Sequence, residues 1–421
     1  MMQKVCHLII PALLLALPLV AQEKRLWVLR EPGELVEYDL TTFAVKNRVK
    51  VPPQALKSPA NLSVNQPGQI LLVPSTTPAV TEEDAAAPHT VWLWNGEAAT
   101  TLDPGTEHKT EQRGSNQVVT ESAPVAALSA DGTHLYWFDN HERRLDREEI
   151  NLSTTITWQA WRTELNGKNR EDLASVKLPE CACATGVCDE TCPVGAFWSP
   201  DGGIDKFFLM TQYIAGQTER TYKSTTVYQQ EGGKWTDKPL PQALEEPLDA
   251  SSSGDVIVTA IPDAACCGWS NQSNDQTLVL VNGKSQTIFD EFATYKNSDY
   301  DVSFFTSNAK LSPDLKSVAM TISATAQANK PIQLAEEGQA NPEESLRIRK
   351  TLAELPAVAV KTVAESPKQV AFLPHASVVG WISDKELLIL EEHVLAVYNV
   401  GSGARRKSTV KVDDVAQVFL R

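Results

Sequence analysis

A hairpin pattern that returns at near-regular intervals constrains this 421-residue chain more than any other feature. Its fullest copy is residues 127–138, Ala-Leu-Ser-Ala-Asp-Gly-Thr-His-Leu-Tyr-Trp-Phe, in which two apolar segments flank Asp131 and Gly132. Asp-Gly readily takes the positive backbone angles of a two-residue turn, so the segment predicts a β-hairpin that reverses at that dipeptide. Relatives follow at 196–210 (AFWSPDGGIDKFFLM), 249–260 (DASSSGDVIVTA), 309–322 (AKLSPDLKSVAMTI) and 379–390 (VGWISDKELLIL), with a weaker copy at 61–74.

Further short β-rich runs lie between the copies and divide the chain into seven units. The first, RLWVLR, ELVEYDL and VKNRVKV from Arg25 onward, has three strands and no hairpin copy before them. The second runs from Leu62 through 69–73, 91–94 and 99–102, and the third starts at Val125 and includes 156–161 and 172–178. The fourth spans 194–240, the fifth runs from Pro247 through 277–281 and 286–289, and the sixth opens at 307–322 with 357–360 and 368–373 outside it. The seventh holds 378–390, 395–398 and 406–412, and a lone strand, 415–420, follows it. A four-stranded meander with two apolar faces cannot bury both alone, and radial packing of such sheets solves that problem. The three-stranded first unit and the lone last strand complete one sheet between them. The expected fold is therefore all-β: a seven-bladed β-propeller closed by pairing of the N- and C-terminal strands.

One segment departs from the strand pattern. Asn341-Pro342-Glu343-Glu344 supplies a cap, a first-turn proline and first-turn acids, and Leu346, Ile348, Leu352 and Leu355 follow as apolar residues. Residues 342–354 are expected to form an insertion helix that caps one blade.

Ser129-Ala-Asp-Gly132, Ser199-Pro-Asp-Gly202 and Ser312-Pro-Asp314, each followed by an apolar strand, resemble the WD-like repeat of TolB-type propellers. The resemblance covers the hairpins of about five blades and implies an architecture, found in periplasmic or extracellular propellers that are often scaffolds. The hairpin at 251–254 lacks the Asp, and the cysteine-rich segment around residue 181 is no part of that repeat.

Residues 1–21 carry Lys4 and then an apolar run, 8–21, ahead of Gln22-Glu23-Lys24. They read as a secretory signal peptide, too short to span a bilayer, leaving residues 22–421 as a single domain outside the cytoplasm, periplasmic or secreted. Cys6 precedes the run and is not placed for a lipid anchor. Loss of the leader moves the formal charge from −15 to about −16. Such an acidic surface disfavours nucleic acid and anionic membranes, which are held by clustered Lys and Arg.

Six cysteines remain: Cys181, Cys183, Cys188, Cys192, Cys266 and Cys267. An even count in an exported protein makes disulfides the expected state. Strand counting places the segment leading into the fourth unit and the second-to-third connection of the fifth on one rim. Cys266 and Cys267, being adjacent, are expected to reach separately into the 181–192 group. Six cysteines allow fifteen connectivities, and none is selected. The alternatives are a zinc or copper cluster on C-x-C-x4-C-x3-C and a redox-active thiol site.

No nucleophile elbow, zincin helix, P-loop or dinucleotide fingerprint is present, so no catalytic, cofactor-binding or metal-binding residue is assigned. His89, His108, His134, His141, His375 and His393 are dispersed. The mixed-charge segment 139–149 reads as a solvated turn with an Arg144–Glu148 ion pair. Asn61, Asn151 and Asn271 stand in glycan-acceptor triplets. Long loops at 75–90, 105–123, 139–153, 180–193, 263–276 and 324–356 all fall on one side, making that side the candidate binding face. The expected function is non-enzymatic binding of a protein, peptide or glycan. The alternatives are a lyase or hydrolase with a site in the central channel on that side, or a cysteine-based metal module.

Overall fold

The computed structural model describes residues 24–30, 33–51, 60–64, 69–74, 91–94, 99–102, 105, 107–122, 124–129, 132–147, 150–177, 181–182, 192–198, 206–215, 219–231, 234–239, 246–251, 254–261, 276–290, 303–325, 338, 341–412 and 417–420. These residues are almost all in antiparallel strands, arranged as seven sheets. The first begins with β1 (Leu26–Arg30), β2 (Glu34–Tyr38) and β3 (Val45–Lys50), and the second is β4 (Ala60–Val64), β5 (Ile70–Pro74), β6 (Val91–Trp94) and β7 (Ala99–Leu102). The third is larger: β8 (Glu107–Arg113), β9 (Asn116–Ser122), β10 (Val125–Leu128), β11 (His134–Arg147), β12 (Ile150–Glu164), β13 (Glu171–Lys177) and β14 (Cys181–Ala182). The fourth is β15 (Cys192–Trp198), β16 (Lys206–Ala215), β17 (Glu219–Glu231) and β18 (Lys234–Pro239). The fifth is β19 (Glu246–Ala250), β20 (Val256–Ile261), β21 (Gln276–Val281) and β22 (Lys284–Asp290). The sixth is β23 (Ser303–Leu311), β24 (Ser317–Thr325), β25 (Ala357–Thr362) and β26 (Gln369–Pro374), with the helix α1 (Pro342–Ala353) inserted before β25. The seventh is β27 (Ala376–Trp381), β28 (Glu386–Glu391), β29 (Val394–Asn399) and β30 (Arg405–Lys411). The last strand, β31 (Gln417–Leu420), lies antiparallel to β1, with Leu26 opposite Leu420 and Val28 opposite Val418. The first sheet therefore runs β3-β2-β1-β31 and contains both ends of the described chain.

The first, second, sixth and seventh sheets are apolar on both faces, each packing against a neighbour on each side. In β1, Trp27 and Leu29 cluster with Ile70 and Trp92 of the second sheet. The alternate residues Leu26 and Val28 cluster with Leu388, Leu395 and Val397 of the seventh. The same alternation joins the second sheet to the third through Leu71, Leu93, Ala126 and Trp137. Val258 and Val279 join the fifth to the sixth through Ala309 and Met320, and Val358 and Leu373 join the sixth to the seventh through Val378 and Trp381. A buried Leu, Ile or Val contributes roughly 1.5–3 kcal/mol, so strands buried on both faces are the main source of cohesion.

The repeated hairpins differ from the expected two-residue turn. The Ser129 N–H donates to the His134 carbonyl at 3.0 Å, the Gly132 N–H returns to the Ser129 carbonyl at 3.0 Å, and φ of Gly132 is 70°. Four residues therefore separate the closing pair, and the position after the reversal is left-handed, which favours glycine at 132 and 254 although Leu315 takes it in the Ser312 copy at φ 59°. Ser129 holds this geometry, its Oγ accepting the N–H groups of Thr133 and His134 at 3.1 and 3.0 Å. Ser251 and Ser312 repeat it, each Oγ accepting the N–H five residues on, from Val256 at 3.1 Å and Ser317 at 3.0 Å. The shared determinant is the serine, which explains why the 251–254 copy needs no aspartate.

Helix α1 starts as its sequence predicts, with the Asn341 side chain accepting the N–H groups of Glu343 and Glu344 at 2.9 and 3.3 Å. Ile348 is buried against Phe304, with Leu352 and Leu355 beside them. Leu346, expected among these apolar contacts, is 62% exposed. Two residues along a helix turn a side chain to the opposite face, so Leu346 and Ile348 cannot both face the sheets.

Candidate functional site

Strands β11 and β12 run for 14 and 15 residues, well beyond the unit they belong to. Their proximal halves pair with β10 and β13 as an ordinary four-stranded meander. Their distal halves carry a second sheet. Residues 142–146 pair with β9, β9 pairs with β8, and Thr154 and Ser153 pair with Cys181 and Ala182 of β14. The expected loops at 105–123 and 139–153 are thus largely strands, built into a five-stranded arm in the order β8-β9-β11-β12-β14.

The segment 139–149, expected as a solvated turn, is mostly strand because its charges alternate. Glu142, Arg144 and Asp146 share one face of β11, and opposite charges on one face stabilise a pleated strand. Arg144 Nε donates to Asp146 Oδ2 at 2.7 Å and Nη1 to Glu142 Oε1 at 3.3 Å. Nη1 also lies 3.9 Å from Glu121 Oε2, and His108 Nδ1 lies 3.2 Å from Glu121 Oε1. The expected Arg144–Glu148 pair is outside the described residues at Glu148.

Glu142 stands directly opposite Glu121 in the ladder. Burial, with Glu121 and Asp146 adding to it, pushes the Glu142 carboxyl above its ordinary value against the pull of Arg144. Nearer the core, Ser122 Oγ donates to the buried Asp139 carboxylate at 2.7 Å. The arm thus presents one guanidinium shared among three carboxylates, a surface of mixed sign. Among the described residues no group of three or more His, Cys, Asp or Glu is arranged to hold a metal ion.

Two of the six cysteines fall on described backbone. Cys181 opens β14 at the edge of the arm, Cys192 opens β15 opposite Ile214, and these two strands run close together. Cys183, Cys188, Cys266 and Cys267 lie outside the described residues, as do His89 and Asn271. The remaining histidines do not converge: His108 and His141 are on the arm, His134 begins β11, and His375 and His393 occupy turns with φ of 56° and 66°. Asn61 and Asn151 lie in β4 and β12.

A cavity of about 470 Å³ lies elsewhere, between the edge strands β19, β23, β27 and β31. It opens where β19 and β23 run into their serine hairpins, the end of the meander opposite the second-to-third connections. The central site of the enzyme alternative was expected on the side of the long connections. No sequence pattern marked this cavity, because its walls come from four edge strands far apart in the chain. Among the described residues no helix is long and apolar enough to cross a membrane.

No family model and no curated protein matches the chain. Among solved structures, it is similar to an acylaminoacyl peptidase of Pyrococcus horikoshii, at 12% identity and a TM-score of 0.42 over 90% of this chain and 48% of that one. The chain thus spans about half the length of that peptidase. It is also similar to apo AztD from Citrobacter koseri, at 11% identity and a TM-score of 0.39 over 94% of this chain and 98% of that one. A polysaccharide lyase, an ulvan lyase, gives 10% identity and a TM-score of 0.47 over 91% and 93%. At these scores the likenesses carry no argument about chemistry.

Proposed function

We propose that the seven sheets are the blades of one closed β-propeller, and that the protein works outside the cytoplasm by binding a protein, peptide or glycan partner through its arm. Pairing of β1 with β31, and the packing of the seventh sheet on the first, support the ring. The observation that carries the binding role is the arm itself. It lengthens two strands past their blade, adds a separate hairpin and an edge strand, and exposes a mixed-charge face. A surface laid on paired strands is already ordered, so binding to it costs little conformational entropy.

The test screens a peptide array and a glycan array with the chain from residue 22 onward and with a variant whose residues 141–157 are replaced by Asn-Gly, so that Asn140 and Trp158, already opposite one another, flank the new turn. The account expects binding in one array, and loss of that binding in the variant while the thermal transition of the remaining sheets is kept. Equal binding by the variant, absence of binding in both arrays, or chemical conversion of the bound probe would overturn it.

A further inference from the structure

We propose that the cavity between β19, β23, β27 and β31 binds a small hydroxy- or amino-carboxylate, with Lys310 taking the anion. At about 470 Å³ it lies within the usual range for small-molecule sites. Lys310 lines it, and its Nζ is 3.6 Å from Asp249 Oδ1, longer than a hydrogen bond. Among the described residues that ammonium makes no hydrogen bond, and its side chain is 30% exposed. Its donors therefore have room for a ligand oxygen.

The other groups narrow the ligand class. Asp249 Oδ2 accepts the buried Leu311 N–H at 2.7 Å, which fixes the carboxylate beside Lys310. Lys24 Nζ donates to the Trp381 carbonyl at 2.6 Å, adding a second cation to the wall. Two ammonium groups and one carboxylate favour a ligand that brings a carboxylate with no more than one net negative charge, while Asp249 disfavours a dianion such as phosphate. Asn308 spends its amide N–H on the Val378 carbonyl at 3.0 Å, and its oxygen accepts no bond among the described residues. That oxygen suits a hydroxyl or ammonium on the ligand. Trp381, Val418 and Leu420 complete the wall with apolar surface, which a bare inorganic ion would leave wet.

The test is thermal shift and calorimetry of the chain from residue 22 onward with L-lactate, glycine, L-glutamate, phosphate and chloride. At least one of the three organic carboxylates is expected to raise the melting temperature with a saturable dose response. Lys310→Met should weaken that binding at least tenfold, Lys310→Arg should retain it, and the exposed Lys385→Met should leave it unchanged. The arm-shortened variant should also retain it, which separates this proposal from the partner-binding reading. No response to any carboxylate, an equal response to phosphate or chloride, or undiminished binding by Lys310→Met would overturn the assignment.

Discussion

The seam between the sixth and seventh sheets and the seam between the seventh and the first do the same job with different chemistry. At the former the chain itself crosses, with His375 alone between β26 and β27, and the ties are neutral. The Val378 N–H donates to Thr321 Oγ1 at 2.8 Å, Asn308 donates to the Val378 carbonyl at 3.0 Å, and Trp381 Nε1 donates to the Lys310 carbonyl at 2.8 Å. At the latter the two ends of the described chain meet, and three cations reach across. Lys24 holds the Trp381 carbonyl, Arg30 Nη2 the Lys411 carbonyl at 2.9 Å, and Arg406 the carbonyls of Leu40 and Thr41. Charged donors give the stronger hydrogen bonds, about 1.5–3 kcal/mol against about 0.5–1.5 for neutral pairs. The chain crosses this seam too, from β30 to β31, but β1, β2 and β3 are joined to the seventh sheet only through packing, β31 and these charged donors, and the donors are in return exposed to salt.

The comparison is broken most severely by deleting residues 417–421. Sheet one would lose its edge strand β31 and the buried Phe419, at a cost of roughly 5 kcal/mol or more, read by calorimetry as a large drop and broadening of the melting transition. Trp381→Ala comes next, because it empties a fully buried ring and removes the Nε1 bond to the Lys310 carbonyl, while the backbone carbonyl that accepts from Lys24 stays. A loss of about 3–5 kcal/mol in chemical denaturation is expected.

Gly380→Ala sharpens the contrast further. A Cβ there would sit 3.1 Å from Leu420 Cδ2, so a cost of about 1–3 kcal/mol is expected. In a double-mutant cycle most of that cost should vanish when Leu420 is also Ala, showing that the strain acts across the seam between the seventh and first sheets. Lys24→Met and Thr321→Val should each cost about 1–2 kcal/mol in low salt. In 1 M NaCl the Lys24 effect should shrink, whereas the Thr321 effect, an orphaned buried N–H, should persist.

The smallest effect belongs to the arm. Because Glu142 holds its proton more tightly folded than unfolded, its ionisation lowers stability as pH rises from the ordinary glutamate range through its raised folded value. Glu142→Gln should therefore be more stable at pH 7 by up to ~0.5 kcal/mol, and the difference should disappear below about pH 4, as followed by melting curves across pH.

The sheets were legible because their described strands are buried on both faces, as in Leu26–Arg30 and Glu386–Glu391, so apolar runs mark them directly. Helix α1 was legible from its cap. The arm was not. Strand β8, EHKTEQR, is solvated along nearly its whole length and carries no alternation of polar and apolar residues. What makes it a strand is pairing with β9, which in turn rests on β11, and such cross-strand partners leave little trace in a local window. The hairpin length was misread for a related reason, since Asp-Gly drew notice while the serine before it holds the turn. The cavity was invisible because Asp249, Lys310, Trp381 and Leu420 meet only when four strands come together.

The most direct test of the account is whether the two chain ends share a sheet. Val28 and Val418 are opposite one another in the ladder and contribute to the same core, and paired strand positions fall within the Cα separation a disulfide spans, about 4.4–6.8 Å. In the Val28→Cys/Val418→Cys variant, mild oxidation and peptide mapping should recover a 28–418 cross-linked peptide from the monomer. Free thiols at both positions under the same conditions would contradict the closed ring.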